Sequence, residues 1–234
     1  ISNSNNIKIF ISSKNFLKFN EIEIKNLIFV KTNFKIDQSN FRFFFKLLNN
    51  DNNDQNINFV KSKLFYLDQN GDVIFLTEMK KLHYLYQEEF LNKVDSKFEI
   101  FNLPINLSAE HDVKKNKILQ KISLTSLKLN IYNDLDYTED EFSGELILNL
   151  INKNKTINYS LINNNLIFNT TDDKQTGEIN IKPFFLSSYL SVNEIEIKRF
   201  FKDDSMLVNL IKSEIFNNNN LSGKISIEAN NLKD

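Results

Sequence analysis

Apolar residues recur at every second position along most of this chain. Ile7, Ile9 and Ile11 alternate with Lys8 and Phe10. Ile22 and Ile24 alternate with Glu21, Glu23 and Lys25, and Phe41, Phe43 and Phe45 with Arg42, Phe44 and Lys46. A period of two sends successive side chains to opposite sides of an extended backbone, so each run predicts a strand with one apolar face. The same reading applies to Phe59–Leu67, Val73–Tyr86, the extended piece Phe98–Phe101 running to Pro104, and Leu127, Leu129 and Ile131. It applies again to Leu146–Leu150, Ile157–Leu161, Leu166–Phe168 and Leu190–Ile197. Strands at roughly ten-residue intervals separated by Asn/Lys turns are the mark of consecutive antiparallel pairing. Polar breaks at 49–56, at Glu88-Glu89 and at 134–141 read as loops, and Pro104, which lacks a backbone donor, belongs at a strand start or an edge.

Only four glycines punctuate this pattern: Gly71, Gly144, Gly177 and Gly223. The last three share one recipe of small hydroxyl residue, Gly, charged residue, aliphatic, and each is read as the turn that opens a strand. Asn70-Gly71 joins Phe59–Leu67 to Val73–Tyr86 and predicts a hairpin, because both residues tolerate positive φ. One segment departs from the period. Met206, Leu207, Leu210, Ile211 and Ile215 recur at three and four residues after Asp203-Asp204-Ser205, which supplies N-cap chemistry. This predicts a helix over about 204–216, with Asn209, Lys212 and Ser213 on its wet side, plugging one end of a β-core. The fold class expected is mainly β: a long antiparallel meander forming a curled sheet or groove, or a sandwich, with one short helix. Residues 1–234 read as one β-rich domain, with 49–56 the place for a sub-boundary.

Composition narrows the function. The chain has 234 residues, 41% hydrophobic and 25% charged, with a net charge of −1 and acids and bases interspersed. That balance offers no nucleic-acid surface. Cysteine is absent, which excludes disulfides, thiolate metal sites and Cys nucleophiles. No apolar run approaches the roughly 18 residues that span a bilayer. The chain opens on Ile1 rather than Met, and is read as an excised segment of a longer protein. Asn tracts such as Asn217–Asn220 read as polar turns within an A/T-biased composition.

Candidate chemistry is sparse. His83 lies in a predicted strand beside Tyr84, and Glu110-His111-Asp112 offers adjacent donors that a strand would send to opposite faces. A metal site needs three or four converging donors. Asp68, Asn70 and Asp72 imitate the opening of a calcium loop, but glycine comes at the fourth position and Met79 at the twelfth, so the match fails. Carboxylates at Glu139, Asp140, Glu141, Asp172 and Asp173 fall in polar stretches. No nucleophile elbow, zincin, phosphate-loop or dinucleotide fingerprint occurs. The expectation is a non-enzyme without cofactor or metal, whose function lies in a surface.

Such a surface has two outcomes. The apolar faces can close on a second sheet, which periodicity alone favours, giving a structural or adhesive sandwich that binds a protein partner. Or they can stay open as a groove for hydrocarbon chains, gaining about 0.8 kcal/mol per CH₂ removed from water. The segment Glu141–Asp234 resembles AsmA-like proteins of bacterial envelopes, the group of TamB and YhdP relatives. The resemblance lies in Ser143-Gly144-Glu145-Leu146, Thr176-Gly177-Glu178-Ile179, the Leu190–Ile197 strand, the helix with Ile211-Lys212-Ser213-Glu214-Ile215, and Ser222-Gly223-Lys224-Ile225. Upstream, the Asn-Gly hairpin with Leu82–Tyr86 and Phe101–Ile105 looks similar. The resemblance implies a periplasmic protein of the inner membrane whose β-groove carries phospholipid between the two membranes, with other envelope proteins as partners and its anchor outside this segment. On that reading Leu146, Leu148, Leu150, Ile157, Tyr159, Leu161, Ile225 and Ile227 contact acyl chains.

Overall fold

The computed structural model describes residues 3–12, 24–37, 56–67, 70–87, 91–138, 141–150, 153–163, 165–171, 175–181, 184–203, 205–213 and 222–233. They form two compact units, Ile1–Ile100 with Pro104–Lys115, and Phe101–Leu103 with Asn116–Asp234. The fold is mainly β, as the alternation predicts, and each unit is built on a single sheet whose strands follow chain order. Among the described residues no second sheet packs against either one. The sandwich that periodicity favours is therefore not formed.

The first unit holds β1 (Asn3–Ile11), β2 (Ile24–Ile36), β3 (Asn56–Leu67), β4 (Val73–Gln87), β5 (Leu91–Ile100) and β6 (Leu103–Asp112). The predicted hairpin is β3–β4, with Phe59 opposite Leu82 and Gly71 at φ 88 in its turn. Phe41–Phe45 and the loop at 49–55 lie outside the described residues. Two departures from the sequence reading stand out. First, β2 and β3 are parallel, with Phe29 beside Phe59. A tight turn enforces antiparallel pairing, but the connection between these strands is long enough for a crossover, and side-chain alternation carries no information about direction. Second, Phe98–Pro104 is not one extended piece. Phe101 and Asn102 take φ 51 and 60 and turn the chain between β5 and β6, as in the two-residue hairpins that need positive φ at both centres. Pro104 does sit at the start of a strand, as expected.

A line of lysines interrupts the regular pairing of this sheet. Lys31 and Lys61 stand at φ 51 and 49 in the middle of β2 and β3. The β4–β5 register slips between Met79 and Lys81, leaving Lys80 as the extra residue. Strand pairing puts Lys31, Lys61 and Lys80 side by side. A left-handed residue inside a strand resets the alternation, so Phe29 and Phe34, an odd spacing, share one face with Phe59. The rings of Phe29 and Phe59 stack at 5.1 Å, and Phe34 meets Phe59 edge-on at 4.9 Å. The break in the ladder is repaired locally: the Thr32 amide donates to Ser62 Oγ at 3.2 Å, and both residues are buried to 1% exposure.

The second unit holds β7 (Lys117–Leu124), a 3₁₀ turn (Thr125–Leu127), β8 (Leu129–Tyr137), β9 (Glu141–Leu150), β10 (Lys153–Ile162), β11 (Asn165–Thr170), β12 (Gln175–Ile181), β13 (Phe184–Glu196), a single helical turn (Ile197–Phe200), α1 (Met206–Lys212) and β14 (Ser222–Lys233). The pairs from β7 to β13 are antiparallel; β13 and β14 are parallel, joined through α1. Leu127 belongs to the 3₁₀ turn rather than to a strand with Leu129 and Ile131. The helix starts later than expected, with Ser205 as its N-cap accepting from the Val208 amide at 3.2 Å. Its faces also differ from those that the three-and-four spacing predicts. Ile211 is 53% exposed, whereas Ser213 is buried, its hydroxyl donating to the Leu210 carbonyl at 2.6 Å. The part predicted for 214–216 lies outside the described residues.

Two outcomes test this account of the first unit. A non-glycine residue in the left-handed region costs on the order of 1 kcal/mol, and β-branching makes it worse. Lys61→Gly should be neutral or stabilising by up to about 1 kcal/mol, whereas Lys61→Val should destabilise by about 1–2 kcal/mol, read as urea midpoints. Burial, with a smaller effect from Tyr86, pushes the Tyr84 phenol up to about 12 from its ordinary 10.0. The folded state holds the neutral form, so this stability is whole below pH 10 and is lost as pH rises toward 12. The melting temperature should fall across that window, and Tyr84→Phe should fall less.

Candidate functional site: the apolar face of the second unit

Residues paired across a ladder point to the same side of a sheet, so register assigns faces. Leu146 pairs with Ile157, and Phe142 with Leu161. Tyr159 pairs with Phe168, Phe168 with Gly177, Gly177 with Ser188, and Ser188 with Ile225. Leu190 pairs with Ile227. Leu146, Leu148, Leu150, Ile157, Tyr159, Leu161, Ile225 and Ile227 therefore all project from one face. On β7 and β8 the same face carries Ile118, Ile122, Ile131 and Leu135. The opposite face carries Lys117, Asp134, Glu145, Asn158, Asn169, Glu178 and Lys224, with Lys117 and Asp134 ion-paired at 2.8 Å, and also the exposed Tyr132, Ile162, Ile167, Phe185 and Tyr189. Burial follows the same parity: along β9–β12 the apolar face is mostly half-buried and most of its polar partner positions are exposed. At the edge strand this shelter ends, and Ile225 and Ile227 are 63% and 49% exposed. The row also ends in charge, since Lys155 and Lys153 stand opposite Leu148 and Leu150.

The glycines of this unit do not open strands by turning. Gly144 and Gly177 lie inside β9 and β12, and Gly223 is the second residue of β14. They are there for close approach. A Cβ on Gly177 would strike the Phe168 ring and sit 2.6 Å from the Ser187 carbonyl oxygen. A Cβ on Gly144 would sit 2.8 Å from Tyr159 Oη. Gly144 and Gly177 each let an aromatic ring on the neighbouring strand approach the backbone, a device that offsets the missing side chain, whereas Gly223 lies close to Leu186.

One polar row crosses this apolar face. Tyr159, lying over Gly144, donates from its hydroxyl to Asn133 Oδ1 at 2.9 Å. Asn133 Nδ2 donates in turn to Gln120 Oε1 at 3.0 Å. Asn133 is 9% exposed, and burial holds the Tyr159 phenol above its ordinary range. Sequence reading placed Tyr159 on this face but missed Gln120 and Asn133. The available signal was two amides falling at apolar positions of otherwise alternating strands.

The sheet is curled and unclosed. Strands sit about 4.8 Å apart, so laid flat β8 and β13 would be about 24 Å from each other. Yet α1, tethered between β13 and β14, lies against the 3₁₀ turn that joins β7 to β8, where Leu127 is 5% exposed. The crossover thus spans one end of the curl, which is where the sequence placed a helical plug.

The remaining candidate chemistry does not converge. Glu110 pairs with Lys93 at 2.7 Å, His111 is turned inward with burial lowering its pKa, and Asp112 pairs with Lys115 at 3.0 Å. Asn70 and Asp72 flank the hairpin glycine, and Glu141 opens β9; Asp68, Glu139, Asp140, Asp172 and Asp173 lie outside the described residues. Among the described residues no three His, Asp or Glu side chains gather closely enough to hold a metal ion. A groove of about 740 Å³ lies on the opposite face between β10 and β14, lined by Asn158, Asn169, Glu178 and Lys224 together with Ile167 and Tyr189. No described helix is long and apolar enough to cross a membrane. No protein-family model, curated protein or solved structure matches the chain.

The close approach at β12 gives a direct test. Gly177→Ala should destabilise by about 1–3 kcal/mol, because the new methyl meets backbone as well as ring. Adding Phe168→Leu should recover only the part due to the ring, measured as a double-mutant cycle.

Proposed function

We propose that this chain is a non-catalytic segment of an AsmA-like envelope protein, and that the apolar face of its second unit carries or shields phospholipid acyl chains. The observation that carries the reading is a row of aliphatic and aromatic side chains running from β7 to β14 with no covering sheet among the described residues. A sheet face lined by apolar side chains and left without a second layer offers a surface to a hydrocarbon ligand. An alkyl chain laid along the row would bury its methylenes at about 0.8 kcal/mol each, with no need for a catalytic group. The motif resemblance of Glu141–Asp234 supplies the rest of the proposal: a place on the periplasmic side of the bacterial inner membrane, lipid passage between membranes in outer-membrane maintenance, and an anchor and envelope partners beyond this segment.

Purified without harsh detergent, the chain should carry phospholipid in native mass spectrometry and exchange it for a fluorescent analogue. Protein that is lipid-free and takes up no labelled lipid would sink the reading. Leu148→Asp offers the sharper contrast. Leu148 is half-buried on an open face, so the variant should remain folded by circular dichroism while lipid uptake drops at least several-fold. Unfolding of that variant would instead signal that the face is a closed core.

A further inference from the structure

The polar row on the apolar face has a direction. Tyr159 gives its proton to Asn133, and Asn133 gives one of its amide protons to Gln120, which accepts through Oε1. The row therefore ends in the Nε2 amide donors of Gln120, which meet no protein acceptor among the described residues. On the same face of β7 the neighbours of Gln120 are Ile118 and Ile122, and across from them on β8 stand Leu135 and Ile131. Gln120 is half-buried, and an amphiphile that covers this aliphatic patch strips water from the donor pair and must supply an acceptor in its place. The sequence has also gone to some length to build the row. Tyr159 reaches Asn133 only because Gly144 leaves room beneath its ring.

We propose that Gln120, positioned through Asn133 and Tyr159, is a specificity-determining residue that donates to an ester carbonyl oxygen of the bound amphiphile, so that the face selects acyl esters over plain alkyl chains. This rests on the reading of the face as an acyl-chain surface. An ester carbonyl accepts without donating and carries no charge, which matches neutral amide donors in an apolar setting. A phosphate would call for a cation, and the lysines described on this face, Lys155 and Lys153, stand three strands away on β10. With the carbonyl held at Gln120, hydrocarbon can extend along the aliphatic positions to either side.

The experiment compares a short-chain diacyl phosphatidylcholine with its dialkyl ether analogue of equal chain length, by calorimetry on the full chain. One neutral hydrogen bond corresponds to a preference of about five-fold for the diester. Gln120→Met and Gln120→Leu remove the donors without adding charge, and circular dichroism reports whether each variant is folded. Each folded variant should lose the diester preference, read as the ratio of the two affinities. Equal binding of the two lipids by the unaltered chain, or a preference that survives in the folded variants, overturns the assignment while leaving the acyl-chain reading standing. Binding of neither lipid overturns both.

Discussion

Among the described residues each strand takes its backbone hydrogen bonds mainly from the strand beside it, and that pairing holds the fold together. A sheet without a second layer cannot rely on a buried core to fix its register. It relies on side-chain parity instead: a slip of one residue would send Leu146, Ile157 and Phe168 to the face that carries Glu145, Asn158 and Asn169. The ion pairs and amides on one side and the apolar row on the other hold the same register from opposite directions. The two-faced character of the second unit is a consequence of that shared constraint, and so is the line of approach for any ligand.

Much of this was legible in the alternation, because a period of two is a direct statement about which side chains share a face. The eight residues singled out from sequence lie together for that reason alone. Strand direction was not legible. Parallel and antiparallel strands read identically, so the crossovers at β2–β3 and β13–β14 left no trace in the pattern. Backbone irregularity was hidden too. Lys31, Lys61 and Phe101 adopt left-handed φ without the Gly or Asn that usually announces it, because neighbouring strands and rings impose the conformation. In the helix, three-and-four spacing pointed to its existence but misjudged Ile211 and Ser213, since capping hydrogen bonds rather than hydropathy decide what is covered in a last turn.

Glycine is the residue whose meaning changed most between sequence and structure. Positive φ is needed at Gly71 alone. Elsewhere the missing Cβ serves the neighbouring strand. This makes Gly144 part of the polar row although it has no side chain to contribute: the reach of Tyr159, the orientation of Asn133 and the exposure of the Gln120 amide all follow from space left on β9.

The crossover through α1 has a consequence for assembly of the second unit. Its docking place, the 3₁₀ turn at Thr125–Leu127, is made about eighty residues before the helix itself, and sheet pairing up to β13 is purely between neighbours in sequence. Hairpins can therefore zip in order with little loop-closure entropy, while the strap must wait for both its anchoring points to exist. Contact order therefore puts the strap after the ladder in assembly, because its contact closes a far longer loop than any hairpin beneath it.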